Sequence, residues 1–358
     1  MAKTASRNLT TGSPTRLVIG FLLPLLGGLL FQQLYNMVDT LVVGRFLGMD
    51  ALAGVGSTSS VNFLVLGFCI GICNGFVIPV AQKFGEGDEA ELRRFVANSI
   101  WLSAAFAVVL TVATALLCTP VLRWMNTPDN IFRYAYDYIF VIFLGIPFTL
   151  LYNLLSSILR SVGDSRTPFL FLAISTVLNI GLDLLCIIVF KWGVAGAAIA
   201  TIAAQAVSGI LCLIYIRFRV PLLTLSRADC KADAESIRDL VVMGIPMGLQ
   251  TSITAIGSMV MQSANNGLGG DYVSGFTAGV KLKQFTLCPF DAIGTAVSVF
   301  CSQNLGAGNT ARIKKILLTC LGIVTVIGLV LGQGAYLLGR PLLSIYSSDP
   351  AVVDFGMI

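Results

Sequence analysis

Apolar residues run in long uninterrupted stretches along this chain, and the polar positions are gathered into short breaks between them. A hydrocarbon core of about 30 Å takes about 20 apolar residues in a helix. Nine stretches reach that length, at 17–43, 53–80, 95–119, 131–158, 168–190, 194–216, 240–261, 273–300 and 316–338, and a tenth opens near Pro350. Unpaired backbone groups are costly in lipid, so each stretch is expected to be a helix; the two-residue alternation of a β-barrel is absent. The first stretch is too long for a signal-peptide core and lacks a small-residue cleavage pattern, so it is expected to stay in the mature protein. The fold class expected is an all-α polytopic membrane protein.

Composition narrows the function. Of 358 residues, 56% are hydrophobic and 11% charged, with a mean hydropathy of +0.87. A soluble chain is about 25% charged, so this one cannot cover a water-facing surface of ordinary polarity, and a soluble enzyme is excluded. The chain has no histidine, which removes zinc hydrolases, Ser-His-Asp triads and Cys-His nucleophiles. Nine cysteines lie mostly singly in apolar runs and read as small hydrophobic filler, Cys69 and Cys73 being the one close pair. No cofactor is expected.

The net charge of +5 does not point to nucleic acid, because the cations are scattered through short loops. Sixteen Lys and Arg fall on the side holding the N-terminus and five on the other, which predicts a cytoplasmic N-terminus in the cell membrane. Lys281 and Lys283 lie inside the eighth stretch. The stretch 217–239 is the one long polar connector and reads as a cytoplasmic linker between two halves.

Sliding the chain against itself by 221 residues pairs Gly48, Asp50 and Gly54 with Gly269, Asp271 and Gly275. The same offset pairs Gln82, Gly85, Gly87, Arg93 and Arg94 with Gln303, Gly306, Gly308, Lys314 and Lys315. A shift of six helices keeps both copies in one orientation, as in transporters whose halves are related by an axis along the membrane normal. The division expected is an N-lobe at 1–222 with helices 1–6, the linker at 217–239, and a partial C-lobe at 240–358 with helices 7–9 and the start of a tenth. A complete second copy would run roughly 84 residues past Ile358, so the chain reads as truncated at its C-terminal end.

Ionisable groups at bilayer depth cost about 3 kcal/mol each on insertion scales and are functional candidates by default. Asp39 lies six residues inside Arg45, and Asp183 eight inside Lys191, roughly 9 and 12 Å down. Asn179 shares the helix face of Asp183, while Thr201 and Tyr138 reach similar depth on two further helices. Five oxygen-bearing side chains at one level form a ligand set for a hard cation or a shared proton; separate helix–helix hydrogen bonds would account for Thr201 and Tyr138 individually. In the second half, Lys281 and Asp291 lie about three turns apart, and cavity lining and structural pairing remain open for them; Lys283 can snorkel. Gly67, Gly71 and Gly75 at every fourth residue read as close backbone packing. Pro24 interrupts the first span and reads as a hinge. The "GEGD" segment at Gly85 lacks the third glycine of a dinucleotide fingerprint and reads as a helix C-cap.

The segments "LPLLGGLLFQQLYNMVDTLVVGRFLG" from Leu23, "RSVGDSRTP" from Arg160, "LNIGLDLL" from Leu178 and "SQNLGAGN" from Ser302 together resemble the multidrug and toxic compound extrusion (MATE) transporters, and the likeness extends over the whole chain. The resemblance implies two six-helix lobes forming a V, alternating access, and antiport of amphipathic, often cationic compounds against Na⁺ or H⁺. It implies a cation site at positions matching Asp39, Asn179, Asp183 and Thr201, with Tyr138 nearby, and a substrate cavity faced by Gln32 and Asn153. The function expected is therefore a cation-coupled multidrug exporter acting as a monomer on small molecules in a lipid membrane, with a flippase for lipid-linked saccharides as the alternative. A membrane enzyme is not expected, since no multi-Asp cluster or large soluble domain is present.

Overall fold

The computed structural model describes residues 7–266 and 270–344, the side chains of 262, 263, 265, 266, 270–278, 281, 282 and 342 excepted. Eleven α-helices run in the order α1 (Pro14–Leu47), α2 (Met49–Ser57), α3 (Ser59–Glu86), α4 (Glu89–Trp124), α5 (Asp129–Leu144), α6 (Ile146–Ser161), α7 (Arg166–Leu184), α8 (Gly193–Arg219), α9 (Ala234–Asn266), α10 (Gly270–Gly306) and α11 (Thr310–Leu343), with no strand among the described residues. Eight are long and apolar enough to cross a membrane, and the α5–α6 pair makes a ninth span if counted as one. Nine of the expected spans are therefore present, two of them shaped differently; the expected start of a tenth near Pro350 lies outside the described residues. The stretch 53–80 is split, because Ser57 and Thr58 turn their hydroxyls back onto Gly54 O and Val55 O (both 2.7 Å) and cut α2 from α3. The stretch 131–158 bends by 48° between α5 and α6, where Pro147 has no N–H to continue the helical ladder.

Helix ends follow from local chemistry. Pro14 opens α1 at a position where its missing N–H costs nothing. In the "GEGD" segment, Gly87 takes the left-handed conformation (φ 77°) that caps α3. Its neighbour Asp88 then accepts from the N–H groups of Ala90 and Glu91 (3.0 Å each) to start α4. The polar connector is not loose. Trp101 Nε1 donates to Cys230 O (3.2 Å), Asp233 N donates to Asn98 Oδ1 (3.1 Å), and Arg93 reaches Asp229 (3.6 Å), so it lies docked on α4.

The outer surface of the bundle is apolar like its core. Leu116, Val108, Leu329 and Val330 stand exposed on α4 and α11, as a lipid solvent requires. Inside, α3 packs along α9 through its spaced glycines: a Cβ on Gly75 would lie 2.6 Å from Met243 O and Gly244 Cα, and one on Gly71 2.6 Å from Met247 O. The four-residue glycine spacing thus marks close backbone approach at Gly71 and Gly75, as expected, whereas a Cβ on Gly67 would meet the Thr251 side chain, 2.8 Å from its Cγ2; Gly275 falls outside the described side chains. At the end of the bundle holding residues 7–13, α3 crosses α10. A Cβ on Gly85 would collide with the Gln303 carbonyl, and one on Gly306 with the Gln82 carbonyl. Gln303 also donates to Ser161 O (2.7 Å) and accepts from Leu9 N (3.1 Å), tying that crossing to the chain start.

Candidate functional site

α1, α5, α7 and α8 converge on a polar cluster walled by Val42, Val43, Ile142, Ile187 and Val194. Asp183 is fully buried and Asp39 is 8% exposed. Asn179, one turn before Asp183, is buried and donates through Nδ2 to Thr201 Oγ1 at 3.5 Å. Tyr138, buried on α5, lies within electrostatic reach of both Asp39 and Asp183, and the two carboxylates lie within reach of each other. All five residues read from depth alone are brought together.

Both carboxylate oxygens of Asp183, one of Asp39 and the amide oxygen of Asn179 are buried without a protein hydrogen-bond partner. Buried charge without partners is strongly disfavoured. Four orphaned oxygens gathered among apolar side chains are therefore suited to accept a hard monovalent cation or a proton. Among the described residues no group of three or more His, Cys, Asp or Glu could hold a metal ion.

Two members escaped the sequence reading. Tyr35 lies one turn before Asp39 and contacts Gln32 and Gln205; Gln205, one turn past Thr201, is buried with its amide oxygen unpaired. The i, i+4 spacing to residues already singled out was the available signal. Beyond Asp183, α7 ends in a π-helical turn, Leu185–Val189, a widening found mostly at functional sites.

Among the remaining candidates, Gln32 adjoins the cluster. Gln32 is half-buried beside Tyr35. Asn153 is half-buried on α6 and spends an amide hydrogen on Thr149 O (2.8 Å). Asp291 is exposed on α10, as is Lys283, and the Lys281 side chain lies outside those described. Pro24 sits inside α1, which continues through it. Arg160, counted from sequence among the loop cations, is instead half-buried in the last turn of α6.

The MatE family profile matches residues 24–185 and 246–357. The chain belongs to the MatE family. Two relatives from Bacillus subtilis, both named as probable multidrug resistance proteins, are similar along nearly all of it. YpnP is 32% identical over 97% of this chain and 78% of its own length, and YoeA 30% over 92% and 73%. A MOP superfamily transporter from Pyrococcus furiosus superposes with a TM-score of 0.92 at 22% identity, covering 100% of this chain and 79% of its own, a likeness in fold. Membership makes this MatE chain a multi-pass membrane transporter and not an enzyme.

Proposed function

We propose that this MatE protein is an antiporter that exports amphipathic, mainly cationic small molecules in exchange for Na⁺ or H⁺. The observation that carries the reading is the Asp39–Asp183 pair with its unpartnered oxygens. In the proposed cycle the pair is one thermodynamic unit. With the cation or proton absent, its negative charge attracts a lipophilic cation toward the otherwise apolar interior of the first six spans. Binding of Na⁺ or H⁺ cancels that charge, α1 bends at Pro24, the interior contracts and the substrate leaves. The ion shifts the equilibrium only by its differential affinity for the two arrangements. The names of YoeA and YpnP support a drug-like substrate, and the 16-to-5 distribution of Lys and Arg supports a cytoplasmic N-terminus in the cell membrane. The reciprocal contacts of Gly85 and Gly306 support two lobes, 1–222 and 240–358, meeting at the cytoplasmic face.

The test is Asp39→Asn, with Asp183→Asn beside it, in proteoliposomes carrying an imposed Na⁺ or H⁺ gradient. Each variant should fold and insert, because an amide fills the same space without the charge, and each should lose gradient-driven efflux. Wild-type efflux by Asp39→Asn under both gradients refutes the assignment.

A further inference from the structure

One strong charge inside the bundle has no part in that cycle. Arg160 stands in the last turn of α6 with its side chain turned back along the helix: Nη2 donates to Ser157 Oγ (2.7 Å), Ser156 Oγ (3.5 Å) and, across to α3, Asn74 Oδ1 (3.4 Å). Its Nε is buried with no acceptor. Among the described residues no carboxylate comes within 4.0 Å of the guanidinium, and the ionisable groups within its electrostatic reach are Tyr152, Cys73 and Cys212, all ordinarily neutral at pH 7. Lys83, Arg93, Arg94 and Arg133, by contrast, each face an acid.

Arginine does not shed its proton in a protein, so this site holds a fixed positive charge among neutral groups. A cation drawn from water without a counter-charge is expensive and marks function by default. The three oxygens it meets orient the group without neutralising it. What matches the unpaired Nε beside the oriented Nη2 is a planar or tetrahedral oxyanion, which a guanidinium binds through paired N–H groups.

The position relative to the acidic cluster gives the ligand its second end. Tyr152 is within reach of both Arg160 and Tyr35, and Tyr35 in turn of Asp39. Tyr152 and Tyr35 thus stand between the positive group at Arg160 and the acid Asp39, each within electrostatic reach of the next. We propose that Arg160, oriented by Asn74, Ser156 and Ser157, forms a subsite for the carboxylate or phosphate of an amphipathic solute whose cationic end lies toward Asp39. The inference rests on the export reading and gives the anionic end of such a solute a place on α6.

Rhodamine 123 and rhodamine 110 differ only in that the first is the methyl ester of the second's carboxyl group. Their equilibrium binding is measured by fluorescence anisotropy in phosphatidylcholine nanodiscs, where no gradient or transport is needed. The wild-type chain should bind the free acid more tightly than the ester, and Arg160→Gln should lower the acid-to-ester affinity ratio about tenfold, as expected for a charge-assisted bond. Arg160→Lys, which keeps the charge but loses the fork, should fall between. Equal or weaker wild-type binding of the acid overturns the subsite even if no variant folds, and leaves the export reading standing. Failure of both dyes to bind overturns both. A preference abolished by adding phosphatidylglycerol assigns Arg160 to a lipid phosphate and overturns the solute subsite.

Discussion

Replacing Gly85 by alanine perturbs a place where α3 and α10 touch backbone to backbone at the chain-start end. The added Cβ would lie 2.7 Å from the Gln303 carbonyl carbon and 2.8 Å from its Cα, and closer still to the oxygen. Non-bonded carbons settle at about 3.5–4.0 Å, so the helices must part by roughly 1 Å. Strain of this kind costs about 1–3 kcal/mol. If the crossing is a contact that opens during transport, that cost falls on the closed arrangement alone and moves the closed-to-open equilibrium by about 5- to 150-fold. Gly306 is strained by the mirror contact, its added Cβ lying 2.9 Å from the Gln82 carbonyl carbon. Once one substitution has parted the helices, the second meets little resistance, so the double variant should cost clearly less than the sum of the singles. The assay is electron–electron double resonance between spin labels at the exposed positions Asp88 and Thr310, with Cys230, the exposed native cysteine, replaced by serine. Gly85→Ala should raise a long-distance population with little change in thermal stability, and Gly306→Ala should do the same. An unchanged distance distribution, or fully additive costs, refutes the reasoning.

Gly75→Val should lower the melting temperature in detergent by several degrees, because its Cβ meets the fixed backbone of Met243 and Gly244, whereas Gly181→Ala, which meets nothing within 4 Å, should leave it unchanged; equal shifts would count against close packing of α3 on α9. Hydrogen bonds from Ser236 hold the Asp233 carboxyl below the ordinary carboxylate range, and those from Ser226 do the same for Asp229. Folded-state values that are depressed give stabilisation that is full above the unfolded value and lost as pH falls through the folded one. The emission of Trp101, whose indole donates to Cys230 O, should therefore stay constant from about pH 8 to 5 and change only below about pH 4; a transition near pH 6 would show that other groups hold the connector.

The spans were legible because lipid leaves little choice: a long apolar run with few charges must close its own hydrogen bonds as a helix. Asp39 and Asp183 were legible for the same reason, since a carboxylate in such a run needs an explanation. Tyr35 and Gln205 were not, because neither carries a charge and only their one-turn spacing from Asp39 and Thr201 ties them to the cluster. Arg160 was misread through its position. It stands at the border of an apolar run near Arg166, where counting cations by loop places it outside, yet a helical side chain leans toward the preceding turn, and this one reaches Ser156 and Ser157. The cut at Thr58 was hidden too, because two hydroxyls folding back on their own helix leave hydropathy almost untouched.

The internal offset of 221 residues carried more geometry than a likeness between halves. Under a two-fold relation, equivalent residues lie far apart unless they sit near the axis, and there each meets the other's surroundings. Gly85 faces Gln303 and Gly306 faces Gln82, and these four are the residues the offset pairs with one another. Each carbonyl fills the space where the other chain segment's Cβ would be, so glycine on one side alone would not relieve the crossing. Away from the axis the halves are free to differ, and they do so at the chemistry: the position matching Asp39 is Val260 or Met261, which stand 63% and 57% exposed. A reciprocal contact built on glycine and an asymmetric pair of acids are thus separate demands on one repeat. In the proposed cycle, substitutions at Gly85 should therefore change which arrangement is populated, and substitutions at Asp39 should change what drives the exchange between them.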